Sequence, residues 1–378
     1  MKKITWIQRN VDKLLSCETD EQLKATFPDL KLESLRRAQR KFRNGEPLKK
    51  VKSLESFLVK GRTLKEITEY FAVDEKEAEK MLKKVPVGFE LFKTLNSFHQ
   101  HIYILLPKIS KEIKVKSKVW KFVTQPDGQP YMWINLPKNG FSKIKVAPIA
   151  DLHYGAKEFK KEKFAEYVNW IKQNDNVFCF LAGDIFENCS GESNRGVSIF
   201  DQVLTPTQQR EDVMRLLAPI AHKILWAVPG NHENRSRKYD FDPLEYVCNK
   251  LDIPYFQEPV YVDVIWNDYV FTFFCQHGKS GSLTEGGKLN AAARPLEFQE
   301  HVHFTIMAHV HDAKTIRPTR IVRDRVNFKL IEKKQYVVIC PAFLDYFGSY
   351  AARAVYKPGA WGTVTCEIYR NGDYHASA

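Results

Sequence analysis

The sequence predicts an α/β layered protein preceded by a basic helical region. From residue 144 onward, short apolar runs alternate with amphipathic helical stretches, the signature of strand–helix units. Residues 1–85 instead carry apolar residues at helical spacing. Charge separates the same two regions. Of the net +13, residues 1–145 hold 31 Lys and Arg against 17 Asp and Glu, or +14, and the rest hold 27 against 28, or −1. A polyanion such as DNA is therefore expected to be gripped by the N-terminal part. Solubility charge on a small helical domain is the plainer alternative.

Within residues 1–85 two stretches look alike. Thr19, Leu23 and Phe27 recur as Thr63, Ile67 and Phe71, and each set precedes a turn and a second amphipathic helix. This is a helix-turn-helix-like pattern. The second helix of the first unit carries Arg36, Arg37, Arg40, Lys41 and Arg43, suited to phosphate contact. That of the second unit is more acidic, with Asp74, Glu75, Glu77 and Glu79. Residues 86–143 read as a bridge: a helix around 88–105 ending near Pro107, then a hairpin. Its strands are KEIKVKSKVWKFV and YMWINLP, joined at Pro126-Asp127-Gly128. Trp120, Phe122, Tyr131 and Trp133 are expected to cover a small sheet rather than to stack on bases.

Residues 144–378 contain the strand-like runs KIKVAPIA, VFCFLAG, KILWAVPG, YVFTFFCQH and HFTIMAH, with helices near 160–174, 207–221 and 243–251. The closing YVVIC and WGTVTCEIY read as strands of a second sheet. Metal-binding side chains follow the strands in five places. These are Asp151-Leu-His153, Gly183-Asp184-Ile-Phe-Glu187, Gly230-Asn231-His232-Glu233, His277-Gly278 and His309-Val-His311. In α/β folds, ligands gather at the carboxyl ends of strands. Carboxylates, a carboxamide oxygen and neutral imidazoles suit Mn²⁺, Fe or Zn²⁺. Two such ions about 3.5–4 Å apart clamp the attacking and leaving oxygens of a phosphoryl transfer, and a water between them ionises readily to become the nucleophile. A second pair, His301-Val-His303, precedes its strand instead of following it, and is excluded.

With 44% hydrophobic and 27% charged residues the chain is able to bury an ordinary core. No run of about 18 apolar residues occurs, so no membrane helix is expected. MKKITWIQRN has no apolar stretch behind it, which argues against a signal peptide. The seven cysteines never form CxxC, pointing to a reducing, cytoplasmic setting without structural zinc.

Taken in order, the five stretches resemble the calcineurin-like metallophosphoesterase family, whose pattern is DxH, GDxx[DE], GNH[DE], a later His and GHxH. The resemblance spans residues 144–315. It implies a two-sheet β-sandwich flanked by helices, with residues 144–378 as the catalytic domain, and two divalent metal ions, Mn²⁺ first among them. By motif, Asp151, His153, Asp184 and His311 would hold one ion, and Asp184 as bridge, with Asn231, His277 and His309, the other. His232 would be the general acid on the leaving oxygen, oriented by Glu187, with Glu233 supporting the ligands. Ala308 departs from the usual Gly. Asn188 and Cys189 stand where phosphoprotein phosphatases of the family have an Arg-Gly pair, which counts against that activity.

Asp151-Leu-His153-Tyr-Gly155 and Gly183-Asp184-Ile-Phe-Glu187 look most like the nuclease branch, which includes the SbcD-type repair nucleases and the small exonuclease subunit of archaeal D-family DNA polymerase. Arg235, Arg237 and Lys238 follow the third motif, and Arg317 and Arg320 follow the last, with Lys314, Arg323, Arg325 and Lys329 nearby. Such residues suit a nucleic-acid backbone near the ions, although a solvated loop explains the last group equally well. The leading expectation is a two-metal phosphodiesterase acting on DNA. One alternative is a phosphatase or nucleotide or cyclic-nucleotide phosphodiesterase with an N-terminal interaction module. Another is a DNA-binding scaffold without catalysis. An ATPase partner, as SbcD-type enzymes have, is left open.

Overall fold

The computed structural model describes residues 16–26, 32, 35, 36, 39, 54–58, 62–85, 89–95, 101–107, 115–125, 128–138, 140–189, 202–237, 241–300, 302–353, 358, 359 and 362–378. The chain falls into two compact units, Met1–Ser110 with Tyr239–Phe241, and a larger one made of Lys111–Lys238 with Asp242–Ala378.

In the smaller unit, Leu64–Phe71 (α3) and Glu75–Leu82 (α4) follow Asp20–Thr26 (α1) and Leu54–Leu58 (α2). Thr63 and Glu66 form a capping box that starts α3, left-handed Ala72 ends it, and Asp74 caps α4. Ile67 is fully buried against Leu58, Ala78 and Leu82. The helical pair expected around Thr63, Ile67 and Phe71 is thus formed. Of the first repeat, Leu23 is buried with Leu35, while Phe27, Arg37, Arg40, Lys41 and Arg43 lie outside the described residues. The expected helix over 88–105 is replaced by a hairpin. Phe89–Leu95 (β2) and His101–Pro107 (β3) pair antiparallel, and Arg62–Thr63 (β1) adds to β3, giving the order β1-β3-β2. The aromatic and β-branched side chains of these runs suit a pleated surface, and that outweighs their partial helical spacing.

The larger unit is a sandwich. One sheet of seven strands runs β12-β15-β11-β10-β9-β5-β4, and the other, of five, runs β17-β16-β6-β7-β8. The first contains Lys121–Thr124 (β4), Tyr131–Asn135 (β5), Val260–Trp266 (β9), Tyr269–Gln276 (β10), Phe304–Met307 (β11), Lys314–Ile316 (β12) and Tyr336–Ile339 (β15). The second contains Lys143–Ile149 (β6), Val177–Ala182 (β7), Ile224–Val228 (β8), Thr365–Tyr369 (β16) and Tyr374–Ser377 (β17). Met132, Val262, Phe273 and Ile306 of one sheet share a core with Val146, Phe180, Trp226 and Cys366 of the other. Trp226 stacks on Phe180 at 4.6 Å and reaches Phe273 across the gap at 5.4 Å. Strands β7 and β8 are buried along their whole length, as parallel strands covered on both faces must be.

The predicted hairpin around residues 121–135 is present, as an edge of the large sheet. Its Trp120 is buried and donates to the His222 carbonyl at 2.7 Å, and Tyr131 donates to Asp263 at 2.7 Å. Thr319–Asp324 (β13) and Lys329–Lys334 (β14) form a separate two-stranded ribbon with Phe328 93% exposed at its tip. Among the described residues no helix is long and apolar enough to cross a membrane. All seven cysteines are buried and unbridged.

Candidate metal centre

Parallel pairing brings the motifs to one end of the sandwich. Strands β6, β7 and β8 run parallel, so Asp151, Asp184 and Asn231 emerge side by side from their carboxyl ends. In the facing sheet β10 and β11 are parallel, and they deliver His277 and His309 to the same end. Backbone bonds continue past the strands: Asp151 N–H donates to the Gly183 carbonyl, His153 N–H to that of Asp184, and Ala308 N–H to that of His277, each at 3.0 Å. Each strand must then turn sharply to aim a side chain across its own end. Accordingly Asp151, His153, Asp184, His309 and His311 all have left-handed backbone, with φ between 47° and 70°. Asp and His tolerate that region better than most residues. Gly183 and Gly230 let two of these turns touch, because a side-chain carbon on Gly230 would strike the Asp184 carboxylate and backbone.

Among the described residues three groups of side chains could hold a metal ion: Asp151, His153 and His311; Asp184, His277 and His309; and His153, Glu187 and His232. Asp184 Oδ2 lies 3.2 Å from His277 Nε2 and 3.9 Å from both His153 Nε2 and His232 Nε2. His153 Nε2 and His311 Nε2 face each other at 3.2 Å, and Asp151 Oδ1 lies 3.2 Å from His311 Nε2. Asn231 Oδ1 is 3.2 Å from His277 Nε2. Atoms coordinated about 2.1 Å from one ion in tetrahedral or octahedral array sit roughly 3.0–3.4 Å apart. Asp151 Oδ1 is also buried with no hydrogen-bond partner, a costly state for a carboxylate oxygen unless a cation meets it. The donor set therefore fits divalent cations.

Charge agrees with geometry. Burial opposes a charged imidazole at His277, but the Asp184 carboxylate outweighs it and raises the pKa to about 10. Burial likewise opposes charge on His153, and the bond to Glu187 with the charges of Asp184 and Asp151 lifts it to about 9. These carboxylates demand positive charge, and a divalent cation supplies more of it than a proton. His232 goes the other way. Burial, then the neighbouring His153, lowers it to about 4.

Glu187 serves both histidines. Its carboxylate accepts from His153 Nδ1 at 3.0 Å and lies 3.4 Å from His232 Nδ1, and its backbone carbonyl accepts from His232 Nδ1 at 2.9 Å. The side chain stands beside His232 as the sequence reading expects, and it also steadies His153, which that reading did not foresee. Arg235 NH2 donates to His232 Nε2 at 2.7 Å, and its NH1 reaches the Glu187 carbonyl at 2.8 Å. Glu233, fully buried, accepts from the backbone N–H groups of Asp184, Ile185, Phe186 and Gly230, pinning two ligand turns together. Asn188 donates to the His232 carbonyl, and Cys189 to Glu187.

The basic residues divide. Arg235 is inside the site, and Arg237 bonds Asn234 at its edge. Lys238 lies outside the described residues. Arg36 pairs with Asp20 in the other unit. Arg317 and Arg320 are not beside the ligands. Strand β12 pairs antiparallel with β15, from Lys314 opposite Ile339 to Ile316 opposite Val337, and so carries the chain to the far end of the sheet. There Arg320 meets the Gln299 carbonyl. Sequence reading missed a cleft of about 790 Å³ beside His277 and His309, walled by Lys279, Arg294 and Phe298. The residues of that wall have no ligand pattern, and only the fold brings them to the site.

Comparison with known proteins agrees with this picture. A stretch of 117 residues is 26% identical to the DNA polymerase II small subunit of Thermoplasma acidophilum, covering 29% of this chain and 23% of that protein. The chain thus spans under a quarter of that relative's length. The NAD nucleotidase structure of Haemophilus influenzae aligns over 62% of this chain and 49% of its own at 9% identity, with a TM-score of 0.30. That score is too low to carry an argument. The calcineurin-like phosphoesterase family model matches residues 144–350, more than half the chain. It covers every strand end that bears a candidate ligand, and this protein belongs to that family of metal-dependent phosphoester hydrolases.

Proposed function

We propose that this protein is a two-metal phosphodiesterase that cleaves DNA. The observation that carries the reading is the position of His232 and Arg235 at the rim of the paired ligand groups. An imidazole that can relay a proton and a guanidinium cation stand next to the candidate cation sites, as cleavage of an anionic diester requires. Asp151, His153, Asp184 and His311 would hold one ion, and Asp184, Asn231, His277 and His309 the other, Mn²⁺ being the first candidate. When bound, such ions neutralise phosphate charge and activate water. Glu187 keeps the His153 ring in place. His232 Nε2 accepts from Arg235 and so carries no proton in this arrangement; once Arg235 shifts onto a phosphate oxygen, Nε2 would take a proton from solvent and pass it to the departing oxygen.

DNA as the substrate is supported by the +14 balance of residues 1–145 and by similarity to a DNA polymerase subunit. The smaller unit adds an argument. A helix, a short strand, two capped helices and a hairpin, with strand order β1-β3-β2, form the order of a winged helix-turn-helix module. The test is an assay with Mn²⁺, Mg²⁺ or Zn²⁺ on labelled single- and double-stranded DNA, linear and circular. Wild type should cut, and His232→Asn should lose about 10²–10⁴-fold in kcat while keeping its metal content. Intact DNA alongside turnover of a small phosphodiester would remove the nuclease reading. Unchanged turnover in His232→Asn would remove the acid.

A further inference from the structure

We infer that the cleft beside His277 and His309 is a subsite for one unpaired nucleotide, its base stacked on Phe298 and its phosphates met by Arg294 and Lys279. The inference rests on the phosphodiesterase reading and specifies which part of the substrate lies where. Asn231, His277 and His309 line the cleft, so it opens onto the candidate metal centre. Its volume of about 790 Å³ falls within the roughly 300–1,000 Å³ of small-ligand sites, room for one nucleotide.

The walls have the chemistry of nucleotide recognition. Phe298 is 71% exposed. A single exposed aromatic needs no explanation by itself, but this one lines the cleft on a fixed mount. Its N–H bonds the Pro295 carbonyl, and Pro295 and Leu296 are buried beneath it. A rigid aromatic face is what a base of any identity stacks on. Arg294 and Lys279 are both exposed, and neither makes an ion pair among the described residues. They are free to take phosphate oxygens. Lys279 lies between Gly278 and Gly281, in a loop whose small residues keep the entrance open.

The position also assigns sides. His277 lines the cleft and lies 3.2 Å from Asp184 Oδ2, whereas His232, 3.9 Å from the same oxygen, is not among the lining residues. The departing oxygen faces His232, and the nucleotide that keeps the phosphoryl group occupies the cleft.

The experiment compares wild type, Phe298→Ala and Phe298→Trp on three substrates. These are a single-stranded deoxyoligonucleotide, the same length of abasic sugar-phosphate, and methyl 4-nitrophenyl phosphate, whose retained group is only a methyl. Phe298→Ala should lower the ratio of oligonucleotide to methyl-ester kcat/KM by about 5- to 150-fold, and Phe298→Trp should restore it. An equal fall on all three substrates would overturn the subsite, as would wild-type cleavage of the abasic polymer at the oligonucleotide's rate. Either result leaves the nuclease reading standing. Turnover of the methyl ester with no cleavage of the oligonucleotide would instead overturn the nucleic-acid reading, and the subsite with it.

Discussion

His303 and His309 flank the same short strand, Phe304–Met307, and meet opposite surroundings. At the amino end, His303 Nδ1 accepts from the Thr272 N–H at 2.9 Å and its ring stands edge-on to Tyr374. At the carboxyl end, roughly 13 Å further on, His309 donates its N–H to Asp151 and packs against His277. The second sheet repeats the division. Strand β6 begins with Lys143 and Lys145, which pair with Glu367, and leads two residues beyond its end to Asp151. One end of the sandwich uses its polar residues to pair with each other. The other gathers them into groups that could hold a metal ion. Strand polarity decides which, because parallel strands gather all their outgoing turns at one end.

The largest test of this division is Asp184→Asn. Removing the shared carboxylate should lower turnover by about 10²–10³-fold or more and reduce metal content, measured together on the purified protein. Retained turnover would mean that the two ligand groups do not act as one centre. A smaller effect is expected from His303→Ala, which leaves the Thr272 N–H without its acceptor. It should cost about 1–3 kcal/mol in urea unfolding with kcat preserved; a loss of kcat at unchanged stability would break the comparison.

Glu367→Gln should have the smallest effect. Burial favours the neutral form of Glu367, but the Tyr369 hydroxyl and Lys143 outweigh it and hold the carboxyl below its ordinary 4.5. A carboxyl lowered in the folded state stabilises above the unfolded value and loses that contribution as pH falls through the folded one. The variant should therefore be about 1 kcal/mol less stable at neutral pH, with the gap closing as pH falls below 4.5. A gap that persists in strong acid would assign the effect to packing.

The clustering of the candidate ligands was legible because every motif joins an apolar run to a polar residue, so strand end and side chain are read together. Strand Val260–Trp266 has no such marker and went unread, although Val, Asp and Ile alternate within it. The stretch at 89–107 misled for a related reason: its apolar residues fit two periods, and only pairing between its halves chooses one. Arg317 and Arg320 show the limit of proximity in sequence, since β12 takes them away from His311 within a few residues. Which atoms of Glu187 serve which histidine depends on rotamers that spacing does not encode. The Phe298 cleft depends on five segments meeting, and none of them announces it.

The left-handed turns at Asp151, His153, Asp184, His309 and His311 bear on stability as well as on chemistry. Each costs about 1 kcal/mol, a sum that is large beside the net stability of an ordinary domain, about 5–15 kcal/mol. A divalent cation held by these side chains would set its binding energy against that cost, so chelation is expected to lower the urea midpoint as well as turnover.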